Sequence, residues 1–85
     1  MNNRRLLLRL LNGRMQNVAF GDAERLVIAL GFSEVRTRGD HHIYAHPAAD
    51  ALLNLQPYRG EAKPYQLRQL LDLIERYDLK LEGDA

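Results

Sequence analysis

Residues 32–47 read FSEVRTRGDHHIYAHP, and across them the hydropathy period of the chain changes from helical to two. Ser33, Val35 and Thr37 alternate with Glu34, Arg36 and Arg38, and Gly39-Asp40 supplies turn chemistry before residues 41–46 resume an extended pattern. The stretch predicts a β-hairpin, and it also holds every histidine of the chain: His41, His42 and His46. Alternation along the second strand sets His42, Tyr44 and His46 on one face and His41, Ile43 and Ala45 on the other. The aliphatic Ile43 marks the expected core side.

Working outward, the segment before the hairpin is helical. Asp22 is an N-cap candidate, Ala23, Leu26, Val27 and Leu30 follow the i, i+3, i+4, i+7 stripe, and Gly31 ends the helix. An earlier helix is capped by Asn3, carries Leu6, Leu7, Leu10 and Leu11, and stops at Asn12-Gly13. Its arginines read as a solvated face over a core-packing stripe. After the hairpin, Pro47 closes the strand and residues 48–50 connect to a third strand over 51–56, with Leu53 and Leu55 on one face. Residues 58–61 read as a loop. Pro64 suits the first position of a last helix whose stripe is Leu67, Leu70, Leu71 and Ile74. The tail beyond Tyr77, with Leu79 and Leu81, reads as a short extension, and residues 83–85 are expected to fray.

The order helix, helix, three antiparallel strands, helix defines an α+β fold with helices on one face of a small sheet and the other face open. At 85 residues the chain is expected to form one domain, with residues 22–77 as the core and 1–17 as an additional N-terminal helix. An apolar fraction of 46% beside 27% charged residues places it among globular rather than disordered sequences. The absence of cysteine excludes disulfides, thiolate metal sites and a cysteine nucleophile, and fits a reducing cytoplasm. The leucine run near the start is interrupted by Arg9, too soon for an export signal or a membrane span. Arginines dominate the front of the chain (Arg4, Arg5, Arg9, Arg14, Arg25, Arg36, Arg38), whereas acidic residues dominate from Asp72 onward.

Few chemistries survive these residues. His42 and His46 lie about 13 Å apart along an extended strand, too far to share a tetrahedral ion. Ser33 is the only serine and faces no evident base, and no glycine-rich phosphate loop is present. What remains is a histidine acting alone as general acid or base, set against solvated or structural histidines.

Leu30-Gly31-Phe32, Arg38-Gly39-Asp40-His41-His42-Ile43-Tyr44 and His46-Pro47, arranged in a small α-β-β-β-α chain, resemble the HicA toxin family of HicAB toxin-antitoxin modules. The basic leucine-rich first helix, LNLQP at 53–57 and KPYQLRQLL at 63–71 look like a longer HicA-like subgroup. The resemblance implies a fold similar to the double-stranded-RNA-binding domain and a metal-independent mRNA endonuclease without cofactor, held in check by a HicB-like antitoxin. It maps the catalytic histidine onto His41, with His42 the alternative. Arg36, Arg38, Lys63 and Tyr65 then become RNA-binding candidates, and Gly39 and Asp40 form the turn that orients the histidine. Two positions depart from the family pattern: Asp40 stands where serine or glycine is usual, and Gln56-Pro57-Tyr58-Arg59 replaces a proline-basic-histidine segment. A non-catalytic RNA-binding module and a protein-interaction domain docking through the first helix are the alternative readings of the same fold.

Overall fold

The computed structural model describes residues 1–82; the fraying expected at 83–85 lies outside them. Helix α1 spans Asn3–Leu11 and α2 spans Phe20–Ala29; strands β1 (Ser33–Arg38), β2 (His41–Ala45) and β3 (Leu53–Leu55) follow. Two short strands, β4 (Pro57–Tyr58) and β5 (Glu61–Ala62), precede α3 (Pro64–Tyr77). The three longer strands form an antiparallel sheet in the order β1-β2-β3, and the fold is α+β of the double-stranded-RNA-binding-domain type with an extra N-terminal helix.

Most of the apolar stripe positions fold as their spacing requires, but Leu11 of α1 is exposed, and in α3 Leu73 is buried while Leu71 and Ile74 are half-buried. Ala23, Leu26 and Val27 of α2 and Leu67 and Leu70 of α3 are fully buried against Leu53 and Leu55. Helix α1 closes the same core, since Leu6 and Leu10 have no exposed surface while Arg4 and Arg5 remain in solvent. Pro64 occupies the first turn of α3, as its missing N–H allows.

Helix caps differ from expectation by one residue in α1 and three in α2. Asn2, not Asn3, caps α1, its side chain accepting from the Arg5 N–H at 3.1 Å. Helix α2 begins at Phe20, so Asp22 lies inside its first turn and binds the terminal amine and Arg25 instead of capping. Residues 58–61 are a hairpin rather than a loop. Arg59 (φ 52°) and Gly60 (φ 80°) turn β4 into β5, and Ala62 donates to the Val18 carbonyl at 2.8 Å, tying the hairpin to the entry of α2. The third strand covers only Leu53–Leu55 of the expected 51–56.

The sheet's core face is also the reverse of the expected one. Tyr44 is fully buried and Ile43 is half-buried on the open face. The register decides this, because Tyr44 pairs with Leu53 and His42 with Leu55, and both leucines face the helices. Tyr44 tolerates burial because its hydroxyl donates to Glu24 at 2.8 Å. Strand β1 carries a bulge between Glu34 and Arg36 that takes Val35 out of alternation and moves Thr37 to the face of Glu34 and His42.

His46, next to the sheet, holds the end of α2. Its Nδ1 accepts from Ala48 N–H at 3.0 Å, so Nε2 carries the proton and donates to the Leu30 carbonyl at 2.9 Å. Gly31 permits this approach: its φ is +101°, and a Cβ there would lie 2.8 Å from that nitrogen.

Candidate active site

The register assembles the open face of the sheet. Arg38 on β1 stands directly opposite His41 on β2, and Arg36, Ile43 and Asn54 form one row across the three strands. His41 is therefore flanked by Arg38 on one side and, diagonally, by Asn54 on the other. The Gly39-Asp40 turn (Gly39 φ 58°) delivers His41 to the first position of β2 and to the open face. The His41 ring is exposed, and its hydrogen bond is to Asn54, whose Nδ2 lies 3.2 Å from Nδ1, rather than to Asp40. Asn54 is a residue the sequence reading missed, because an asparagine between two leucines reads only as the polar side of a strand.

Lys63 and Tyr65 belong to the same end of the sheet. The pairing of His42 with Leu55 brings Gln56 alongside the start of β2, and Gln56 N–H donates to Gln66 Oε1 at 2.7 Å. That bond ties the first turn of α3 to the His41 end. Lys63 is the half-buried N-cap residue of α3, and Tyr65 is exposed with its hydroxyl accepting from Gln66. Cations near a helix N-terminus and a half-free aromatic ring suit a phosphate chain with unpaired bases. Among the described residues neither Arg36 nor Arg38 is engaged by a carboxylate, so both guanidinium groups remain available to an anion.

His42 occupies a different environment on the opposite face. Its Nδ1 lies 2.8 Å from Glu34 and 3.9 Å from Glu24, and its ring packs against Phe20 at 5.1 Å. Glu24, Glu34 and His42 keep their ligand atoms within 4.8 Å of one another, the one such cluster among the described residues. Glu34 Oε2 is occupied by both the Thr37 hydroxyl and His42, which accounts for the cluster as a hydrogen-bonded strut between β1, β2 and α2. Sequence spacing could not reveal it, since the three residues come from three elements.

Two carboxylates carry a pH signature. The Thr37 hydroxyl and then His42 hold Glu34 below its ordinary value of 4.5, and the terminal amine and Arg25 hold Asp22 below 3.8. A lowered folded-state value means the unfolded chain binds more protons, so this stability is present above the ordinary values and is lost as pH falls through the folded ones. Urea midpoints should therefore drop on acidification from pH 6 to pH 3, and the drop should be smaller in Glu34→Gln. Equal drops in the two proteins would remove Glu34 from the effect.

A small α+β sheet with one helix-covered face and one open face bearing a turn-presented histidine between an arginine and an amide is the class of protein these observations define. The family model described as HicA toxin of bacterial toxin-antitoxin matches residues 20–75, well over half of the chain, and the chain belongs to that family. It is thus the toxin component of a toxin-antitoxin module, which implies an antitoxin partner. Comparison with curated proteins and with solved structures gives no significant match. No described helix is long and apolar enough to cross a membrane.

Proposed function

We propose that the chain is an endoribonuclease that cleaves mRNA in the cytoplasm, with His41 as general base and a HicB-like protein as its antitoxin. The observation that carries this reading is the exposed imidazole of His41 facing Arg38 across the β1–β2 pair. The chemistry needs little more. His41 takes the proton of a ribose 2′-hydroxyl, the oxygen attacks the adjacent phosphorus, and the bond from phosphorus to the 5′-oxygen breaks, that oxygen taking a proton from solvent. The products are a 2′,3′-cyclic phosphate and a free 5′-hydroxyl. Arg38 and Arg36 neutralise the charge that builds on the phosphoryl oxygens, and Lys63 at the α3 N-terminus extends that field along the strand. Tyr65 offers a ring on which an unpaired base stacks. His42, turned to the helix side and bonded to Glu34, is the poorer base. Residues 22–77 form the catalytic core in this reading, with α1 as an addition that seals it.

Purified protein incubated with single-stranded RNA in excess EDTA should cleave it to fragments ending in cyclic phosphate, and should leave DNA of the same sequence intact. RNA binding that weakens with salt but yields no fragments would favour a non-catalytic binding module instead.

A further inference from the structure

Asn54 Nδ2 lies 3.2 Å from His41 Nδ1, while Asn54 Oδ1 is buried and, among the described residues, has no hydrogen-bond partner. In that arrangement the amide donates, Nδ1 is an acceptor and the ring proton sits on Nε2. A ring so protonated offers RNA no lone pair at Nε2. The carboxamide fills the same two places with either end toward the ring, and which end faces Nδ1 is fixed by the hydrogen-bond network. A half-turn of the side-chain amide exchanges its two ends and brings Oδ1 onto Nδ1–H. The ring then holds its single proton on Nδ1, and Nε2 is bare on the exposed side.

From this contact we infer that Asn54 is a positioning residue: its carboxamide oxygen accepts from His41 Nδ1–H, fixing the tautomer in which Nε2 takes the proton of the ribose hydroxyl. The inference rests on the reading of His41 as the base. Its effect grows along the reaction. When Nε2 gains its proton the ring becomes a cation, and the bond from Nδ1–H to Oδ1 becomes charge-assisted, about twice as strong as its neutral form. An interaction stronger in the transition state than before it raises kcat rather than affinity. Asn54 sits in the row Arg36, Ile43, Asn54 and reaches the ring from β3, so the contact joins His41 to the neighbouring strand.

The decisive measurement needs no turnover. Ring ¹⁵N shifts of the full chain at pH 8 should show His41 with its proton on Nδ1, and Asn54→Leu should move it toward Nε2; a wild-type ring protonated on Nε2 overturns the inference. In RNA cleavage, Asn54→Leu should lower kcat about 10-fold with KM changed less than about 2-fold. Asn54→Asp should retain most of the rate and move the acid limb of the pH profile upward, since a carboxylate facing Nδ1–H favours the protonated ring. Unchanged or faster cleavage in Asn54→Leu also overturns it. Should His41→Ala cleave as well as the wild type, His41 is not the base; should the wild type not cleave at all, the endonuclease reading fails by itself. The tautomer still decides the contact in either case.

Discussion

His41→Ala is expected to slow RNA cleavage by a factor of about 10²–10⁴, the usual loss when a positioned general base is removed. The fold should not change with it. The His41 side chain is exposed, and among the described residues its one hydrogen bond is the contact with Asn54. A surface position of this kind alters stability by about 0.5 kcal/mol or less. Urea midpoints of variant and wild type should therefore coincide, so that the lost rate is assigned to chemistry. His42→Ala should behave in the opposite way: it removes a partner of Glu34 and a ring packed on Phe20, lowering the midpoint while leaving folded molecules active. A full rate in His41→Ala together with a dead, stably folded His42→Ala would exchange the two roles.

Leu55→Ala is the substitution with the largest expected cost in stability. Leu55 has no exposed surface, faces the helices beside His42, and belongs to a strand of three residues that lies against α3. Removing its side-chain methyls leaves a cavity that the packed neighbours Leu53, Leu67 and Leu70 close only in part, at a cost of about 2–5 kcal/mol. A chain this small has a total stability at the low end of roughly 5–15 kcal/mol, so most of it is at stake. The lost anchor also bears on the site, because β3 carries Asn54 and leads to Gln56, which ties the first turn of α3. Chemical denaturation should show a lower midpoint with a similar slope, and cleavage at 37 °C should fall with the folded fraction. A midpoint unchanged within error would mean that β3 is not part of the cooperative core.

Much of this fold was legible because the stripes of α2 and α3 and the Gly-Asp turn each admit one reading. Residues whose placement depends on partners far along the chain were less so. Ile43 and Tyr44 are alternating neighbours, both able to fill a core, and only the pairing of Tyr44 with Leu53 decides between them. The bulge at Val35 breaks the alternation from which the faces of β1 were read, and nothing in SEVRTR announces it. The β4–β5 hairpin has strands of two residues, too short for any period, although Arg59-Gly60 supplies a turn signal. In the site, His41, Arg36 and Arg38 stand on one open face, although alternation sets His41 with Ile43 on the expected core side. Asn54 and the Glu24–Glu34–His42 strut were hidden, because each is joined only by tertiary pairing.

The proposed function requires that His41 activate the ribose 2′-hydroxyl of the strand being cut. Its most direct test is a short RNA carrying a single cleavage site, compared with the same RNA bearing a 2′-O-methyl group at the nucleotide on the 5′ side of the scissile phosphate. Cleavage of the first to a 2′,3′-cyclic phosphate, absent with His41→Ala, is the expected result, with no cleavage of the second at that position. Cutting of the methylated strand at the same phosphate would contradict it, since the proton His41 is said to remove would not be there.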